Sequence, residues 1–264
     1  MKKVFLLFLI TILVFQCGEI EDYELDNELD PNNPVFTEPQ TTIRPIPSSN
    51  LTKSSFIVDW EGNISSMEFR HKLDQNPWTD WGIQTSTSLD YLDEGSHTFS
   101  VQGRYLSGYQ EAIPDSVVFI TDAVTGPALR IAPLYKESAN GDLFSVDIMA
   151  EDLSGVAAVE LLVLFDPNVI SFFKAEKGEF FTRAQGYVLE ISKLKESNQV
   201  QINIGTYNGS SKVVSGSGVI CRIFFNSLKV GQSTLSLQQS SSTRDSQNNN
   251  ILINQLVNGI VVIK

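Results

Sequence analysis

The stretch VELLVLFDPNVISFFKAEKGEFF, residues 159–181, decides how the C-terminal half of this chain folds. Five apolar residues, from Leu161 to Phe165, follow one another without alternation, and the turn sequence DPN at 166–168 then ends the run. A strand with one face in water should alternate apolar and polar residues. The run therefore predicts a strand that is buried on both faces, or a strand whose outer face is reserved for a partner.

Short apolar runs continue on both sides of this stretch, from about residue 129 to residue 264. They give nine strand signals, separated by clusters of Gly, Asn and Ser, and none has the 3.6-residue period of a helix. Nine strands in about 135 residues predict an all-β domain in which two sheets pack as a jelly-roll-like sandwich.

A second all-β module is predicted from residue 51 to residue 123. The runs FIVDW, FRHKLDQNPWTDW and LDEGSHTFSVQGR alternate as strands do, and together they resemble fibronectin type III and related Ig-like modules. The resemblance implies that Trp60 lies in the core. Trp78 and Trp81 leave two interpretations open, because their rings could stack on a sugar or pack a hairpin onto the sheet.

The N-terminus reads MKKVFLLFLITILVFQCGE, which follows the plan of a secretory signal. Its apolar run is shorter than the about 20 residues that span a bilayer. Cys17 at the end of the run resembles the lipobox of bacterial lipoproteins, which implies residues 1–17 as signal peptide and lipidated Cys. The alternative is an ordinary secretory signal that removes Cys17. Residues 18–50 are acidic and then rich in Pro, and they predict an extended tether.

Charge and cysteine content exclude several functions. The formal net charge of -12 and the pI near 4.6 argue against nucleic acid as a partner, because phosphate binding needs clustered Lys and Arg. The chain has two cysteines, Cys17 and Cys221, and no metal-binding or redox motif, so we expect no cofactor. The region 129–264 contains no His, which excludes a Ser-His-Asp arrangement there. We therefore expect no catalytic activity.

Residues 129–264, about half of the chain, resemble a cohesin domain. The resemblance starts from the opening stretch, in which a strand, Phe165, DPNVI and a strand ending in KAEKGEFF follow one another. The segments LFSVDIMAEDLSGVAAVEL, GSGVICRIFFNSLKVGQSTLSL and VNGIVVIK resemble other strands of the family in the right order. Cohesins capture dockerins in bacterial cellulosomes and related cell-surface assemblies, so the resemblance implies a dockerin-bearing partner.

The outer face of the doubled apolar strand is the predicted binding site. Phe165, beside the turn, should point into the core, so the alternate residues of its strand should point outward. In cohesins the corresponding face, built with the sixth and eighth strands, docks the partner. Extending the alternation gives the predicted partner-binding residues Ala158, Glu160, Leu162, Leu164, Gln201, Asn203, Ile220, Arg222 and Phe224. The apolar members would form a centre with a polar rim, unless a loop or the neighbouring module covers them.

The sequence as a whole predicts a non-catalytic, exported binding protein that is lipid-anchored at the outer membrane or cell surface. Its order of parts is lipid, tether, spacer module and binding module. Its cohesin-like domain would capture a dockerin-bearing protein, with polysaccharide degradation as the expected setting. The alternative is a carbohydrate-binding surface lipoprotein with direct glycan contact, although the C-terminal region has no Trp and its tyrosines are scattered.

Overall fold

The computed structural model describes residues 27–184, 187–207 and 212–264, and within these ranges it contains strands and two short 3-10 turns but no α-helix. Two β-modules follow one another, so the all-β prediction is confirmed. Cys17 and the apolar run before it lie outside the described residues.

The N-terminal module consists of two three-stranded sheets that face each other. Its strands are β1 (Thr41–Ile43), β2 (Phe56–Gly62), β3 (Met67–Leu73), β4 (Ser86–Leu89), β5 (Gly95–Tyr105) and β6 (Asp115–Thr121). One sheet has the order β1-β2-β4 and the other β3-β5-β6. Strand β2 alternates strictly, so Trp60 lies in the core as predicted, with its ring 6.0 Å from that of Phe99. The assignment of this module to the fibronectin type III class stays a prediction.

The N-terminal module begins before residue 51, which corrects the predicted extent of the tether. Strand β1 lies inside the segment 18–50 and pairs antiparallel with β2. Leu29 and Phe36, also from that segment, pack against the core of the module. The tether prediction rested on the polarity of the segment as a whole. It therefore missed single apolar residues, spaced between prolines, that each pack against the core.

Two carboxylates of the N-terminal module hold β1 in place. The backbone N–H of Thr41 donates to Glu111 Oε1 at 2.8 Å, and that of Ile43 donates to Asp115 Oδ2 at 2.7 Å. The other carboxylate oxygen of Glu111, a buried residue, accepts from the N–H of Gly103 at 3.0 Å. An outer strand would otherwise leave these N–H groups without partners, and hydrogen bonds to a charged acceptor are stronger than neutral ones.

The C-terminal module is a sandwich of two sheets. Its strands are β7 (Ala128–Ala132), β8 (Tyr135–Ser138), β9 (Leu143–Val156), β10 (Ala158–Leu164), β11 (Ile170–Lys177), β12 (Tyr187–Glu196), β13 (Gln199–Tyr207), β14 (Val214–Ser227), β15 (Gly231–Leu237), β16 (Ser242–Arg244), β17 (Asn250–Ile251), β18 (Gln255–Val257) and β19 (Gly259–Ile263). One sheet runs β12-β13-β10-β15-β19-β8, and β16 also pairs with β10. The other runs β11-β14-β9-β7-β18.

The opening stretch carries the chain from one sheet to the other. Strand β10 places Val159, Leu161 and Val163 in the core between the sheets. Phe165 comes next, and its ring lies edge-on to Phe225 of the opposite sheet, with 5.3 Å between the centroids. The turn 166–168 then reverses the chain, and β11 begins in the opposite sheet. Because the chain crosses between the sheets here, the apolar run ends at Phe165 and a second apolar run begins directly after the turn.

Side-chain hydrogen bonds fix the DPN turn. The carboxylate oxygen Oδ1 of Asp166 accepts from the backbone N–H of Asn168 at 2.9 Å and from its side-chain amide at 3.0 Å. The N–H of Asp166 donates to Ser233 Oγ at 2.9 Å. An Asp side chain that accepts from the backbone N–H two residues ahead mimics a backbone turn, and it thereby stabilises a short connection between two strands.

Candidate partner-binding face

Six of the predicted binding residues share one outer face of the sheet that contains β10. Strand β10 pairs antiparallel with β13, and the register sets Glu160 opposite Asn203 and Leu162 opposite Gln201. Alternation along a strand sends the residues between the core positions outward. We call these six residues the outer row: Ala158, Glu160, Leu162, Leu164, Gln201 and Asn203.

The outer row is polar and partly covered, where the sequence predicted an exposed apolar centre. Glu160 accepts a hydrogen bond from the side-chain amide of Gln201 across the two strands. Asn203, opposite Glu160, is half-buried. Leu162 exposes only 5% of its surface, although it points away from the core between the sheets. The polar pair, Asn203 and the half-buried Leu164 are therefore the groups available to a partner.

A segment of the chain lies beside Leu162 on the edge of β10 that β15 and β16 share. The N–H of Leu162 donates to Ser241 Oγ at 3.0 Å, and its carbonyl accepts from the N–H of Gln238 at 2.9 Å. Residues 238–241 thus bridge the gap between β15, which pairs with Leu164, and β16, which pairs with Glu160. The alternative that the sequence left open, a loop or the neighbouring module that covers this face, stays a prediction, because these hydrogen bonds reach only the backbone of Leu162.

Ile220, Arg222 and Phe224 do not belong to this face, and their assignment to it was wrong. All three lie on β14, which is in the opposite sheet, between β11 and β9. Strand β14 also breaks the simple alternation, because its pairing with β9 shifts register three times, last between Val219 and Cys221. Bulges of this kind turn residues from one face to the other. Counting by twos through such a strand therefore gives the wrong face.

Each of the three residues has a role within the opposite sheet. Ile220 is fully buried in the core. The guanidinium of Arg222 forms a bidentate ion pair with Asp147, at 2.7 and 2.9 Å. The ring of Phe224 lies 4.7 Å from the Lys174 ammonium. Arg222 and Phe224 thus belong to a second surface, on the far side of the sandwich.

Sequence reasoning missed three contributors to the candidate face. Strand β12 pairs with β13 along its whole length and widens the sheet. Strand β15 presents Thr234 and Ser236, whose alternation with buried Ser233, Leu235 and Leu237 was a usable signal. The β16–β17 hairpin, residues 242–251, pairs with the start of β10. Its hairpin signal in the sequence was weak, because the Asn-rich turn joins strands of only three and two residues.

A groove lies where the β16–β17 hairpin meets Glu160. It has a volume of about 450 Å³. Seryl and amide groups and the Arg244 side chain line it together with apolar residues such as Ile251 and Leu256. The candidate face is therefore flat along β13 and recessed beside the hairpin.

Trp78 and Trp81 stack with cations of their own module. The Arg70 guanidinium carbon lies 5.0 Å from the Trp78 ring and 4.7 Å from the Trp81 ring. Lys72 approaches Trp78 at 5.0 Å, and Arg104 approaches Trp81 at 4.4 Å. Cations above the faces of aromatic rings are attracted by the ring quadrupole. This arrangement favours the interpretation in which the rings pack a hairpin onto β3 and β5 over the one in which they bind a sugar.

The described residues contain neither a candidate metal site nor a candidate membrane-spanning helix. Within 27–184, 187–207 and 212–264, no group of three or more His, Cys, Asp or Glu side chains is placed to hold a metal ion. The same part of the chain contains no helix that is long and apolar enough to cross a membrane.

Comparisons with solved structures return cohesins. A non-cellulosomal cohesin from the hyperthermophilic archaeon Archaeoglobus fulgidus is 19% identical, covers 52% of this chain and 90% of its own, and has a TM-score of 0.43. The sixth cohesin from scaffoldin B of Acetivibrio cellulolyticus, in complex with a mutant Cel5 dockerin, is 17% identical with a TM-score of 0.46. That match covers 53% of this chain and 100% of the cohesin.

Comparison with curated sequences returns a cell-surface protein. "Cell surface glycoprotein 1" of Acetivibrio thermocellus is 22% identical over an alignment of 214 residues that covers 74% of this chain. The chain spans 9% of the length of that relative. No known family's sequence profile matches the chain.

Proposed function

We propose that this chain is a non-catalytic, exported binding protein whose C-terminal module captures a dockerin-bearing protein. The cohesin resemblance of residues 129–264 supports the class of partner. The observation that carries the proposal is the position of the outer row. Four of its six residues lie on the strand that ends at the DPN turn, and this is a strand whose outer face docks the partner in the family that the sequence resembles.

The outer row suits a partner that is recognised by hydrogen bonds. Glu160 and Gln201 are already paired with each other, which fixes their side chains before a partner arrives. Fixed side chains lose less conformational freedom on binding than mobile ones do. Asn203 carries an amide, which can both donate and accept. The polar groups set the register of the partner, and Leu164, half-buried at the end of the row, adds apolar contact.

The test is a titration of the chain with purified dockerin domains, followed by calorimetry. Asn203→Ala and Glu160→Ala should each weaken binding about 5- to 150-fold, because truncating one hydrogen-bonding group at the centre of an interface costs roughly 1–3 kcal/mol. Arg222→Ala is the matched control, since Arg222 is also a charged residue of a sheet surface but lies on the opposite sheet. The control should bind as the unaltered chain does.

Two outcomes of this titration would contradict the proposal. In the first, no dockerin domain binds at concentrations where cohesin–dockerin pairs associate. In the second, Arg222→Ala weakens binding and the outer-row variants do not, which would move the site to the surface of β11, β14 and β9. Binding of oligosaccharides in place of dockerins would favour the alternative of direct glycan contact.

We further propose that the chain is anchored at the cell surface through lipid on Cys17 and serves polysaccharide degradation. The relative named as a cell surface glycoprotein supports a surface location. Two or more lipid chains on one residue hold a protein stably on a membrane, whereas one chain gives only marginal binding. Cys17 would thus bear the anchor, and the N-terminal module would serve as the spacer that separates it from the binding module.

A further inference from the structure

One turn of the N-terminal module makes three hydrogen bonds to the connecting segment and to the C-terminal module. We call residues 90–95, between β4 and β5, the joint turn. The Asp93 carboxylate accepts from the N–H of Leu134, which lies between β7 and β8 of the C-terminal module, at 2.9 Å. Oxygen Oε1 of Glu94 accepts from the N–H groups of Ala123 and Val124, both at 3.0 Å. The turn therefore fixes the connecting segment and the first strands of the second module together.

An aromatic pair and a buried arginine complete this contact. The rings of Tyr91 and Tyr135 are stacked, with 5.5 Å between their centroids. Tyr91 has a φ of 55°, a left-handed conformation that is strained for a bulky residue and persists only where its surroundings hold it. Arg130 of β7, buried and paired with Glu151 at 3.1 Å, attracts the carboxylates of Asp93 and Glu94.

His97 holds the joint turn from the side of the N-terminal module. Its Nε2 lies 2.8 Å from the carbonyl oxygen of Asp93, and its Nδ1 lies 2.8 Å from Asp74 Oδ2. A carbonyl and a carboxylate only accept hydrogen bonds, and a neutral imidazole has one N–H to give. Both bonds form together only when the ring is a doubly protonated imidazolium.

Asp74 and the neighbouring ring keep His97 in position. The other oxygen of Asp74 accepts from the backbone N–H of Thr98 at 2.7 Å, so the carboxylate is itself oriented. The His97 ring packs against Phe119 of β6, and 11% of the His97 side chain is exposed. A charged ring so enclosed has few ways to replace a lost hydrogen bond with water.

We propose that His97 is a protonation-dependent clamp on the joint between the two modules. The imidazolium holds the carbonyl of Asp93 and thereby the turn that contacts Leu134, Ala123 and Val124. Loss of one proton leaves a single N–H, which Asp74 retains because a carboxylate is a stronger acceptor than a carbonyl. The bond to the Asp93 carbonyl is then lost, and the turn holds the second module less firmly. The angle between the spacer and the binding face is therefore held more firmly at acidic pH than at alkaline pH.

The other titratable groups of the joint act in the same direction. Burial alone would lower the pKa of His97, but the hydrogen bonds to the Asp93 carbonyl and to Asp74 raise it above its usual value of 6.5. Burial raises the pKa of Asp93 above 3.8 and that of Glu94 above 4.5, in spite of Arg130 and the N–H donors; Asp122 also raises that of Glu94. A raised pKa in the folded state stabilises below the unfolded value, and the gain is lost as pH rises through the folded value. The joint therefore weakens steadily with rising pH, and His97 governs the upper part of that range.

Amide hydrogen exchange on the full chain tests the clamp, with rates corrected for the intrinsic pH dependence of exchange. Between pH 5.5 and pH 8.5, protection of the Leu134 N–H should fall about tenfold, the scale that loss of one charge-assisted hydrogen bond sets. The Ile43 N–H is the internal control, because it also donates to a carboxylate but lies within the N-terminal module. Its protection should stay within about twofold if that bond keeps its strength.

Two variants decide whether His97 is responsible. In His97→Gln, protection of Leu134 should be low and independent of pH, and in Asp74→Asn its midpoint should move to lower pH. The second variant keeps the test valid should the first disturb folding, which tryptophan fluorescence of the N-terminal module would reveal. Equal protection of Leu134 at both pH values, or a midpoint that neither variant changes, would overturn the proposal.

Discussion

Leu162→Asp should strongly destabilise the C-terminal module, although Leu162 points away from the core between the sheets. Its side chain is 5% exposed, so the substitution removes a buried leucine and leaves a carboxylate where water scarcely reaches. Burial of a leucine contributes roughly 1.5–3 kcal/mol, and an unpaired polar group in its place costs roughly 1–3 kcal/mol more. The expected loss of about 4 kcal/mol lowers the Tm of a module of this size by about 12 °C.

Calorimetry of the full chain measures this loss, and tryptophan fluorescence supplies an internal control. The three tryptophans, Trp60, Trp78 and Trp81, all belong to the N-terminal module. Their unfolding transition should stay in place while the calorimetric transition of the C-terminal module moves down. Part of the stability should return near pH 4, because burial raises the pKa of the introduced carboxyl and the neutral form then predominates.

Two further variants bracket the result. Val163→Asp places the same carboxyl in the core, where the native side chain is 0% exposed, and should be at least as damaging. Thr234→Asp lies on the outer side of β15, where Thr234 is exposed, and should change stability by less than about 0.5 kcal/mol. A Tm change of about 3 °C corresponds to about 1 kcal/mol in a module of this size. If the Tm of Leu162→Asp lies within about 2 °C of that of the unaltered chain, the outer row has the open apolar centre that the sequence suggested, and our description of it is wrong.

Three other predictions concern the ends and surfaces of the chain. Glu111→Ala should lower the free energy of unfolding of the N-terminal module by about 2–3 kcal/mol, because it leaves the N–H groups of Thr41 and Gly103 without acceptors. Urea unfolding followed by tryptophan fluorescence measures this, and an unchanged midpoint would mean that water replaces the carboxylate. Arg222→Ala should cost less than about 1 kcal/mol, since an exposed ion pair contributes little; a larger loss in calorimetry would show that Arg222 does more than pair with Asp147. Cys17→Ser should move the protein from the membrane fraction to the soluble fraction, and sedimentation of the variant with membranes would place the anchor elsewhere.

The arrangement of β10 and its turn was predictable because the deciding signals are local. An unbroken apolar run that ends at DPN specifies a buried strand and a sharp reversal, and both depend on side chains within a few residues of one another. The outward side of Glu160 and that of Asn203 are also predictable from alternation along two regular strands, whereas the register that sets them opposite each other comes from the structure. The outer row was therefore within reach of the sequence alone.

The sheet to which β14 belongs was not predictable by the same reasoning. Alternation tells which residues share a side of a strand, but it does not tell which sheet receives that strand. Gly216 and Gly218, both with positive φ, accompany the first register shifts in β14 and allow the backbone to leave the regular pleat. The third shift, between Val219 and Cys221, makes Ile220 a core residue, although counting by twos sends it outward.

The burial of Leu162 escaped prediction for another reason. The segment that hydrogen-bonds its backbone, residues 238–241, is 76 or more positions away along the chain and carries only Gln and Ser. No periodicity links such a polar segment to the strand beside which it lies. The same limit applies to the tether, in which Phe36 is a lone aromatic residue whose partners, Tyr105 and Tyr109, are far away in sequence.

The packing of β1 and the residues before it onto the N-terminal module shortens the segment that links Cys17 to the folded modules. With lipid on Cys17, a tether that ran to Leu51 could reach about 120 Å from the bilayer, at roughly 3.5 Å per residue when fully extended. Because Leu29 already packs on the N-terminal module, only the twelve steps from Cys17 to Leu29 remain, and their reach is about 40 Å. The N-terminal module would then begin within about 40 Å of the bilayer, so the distance from the membrane to the binding face would be set mainly by the two folded modules.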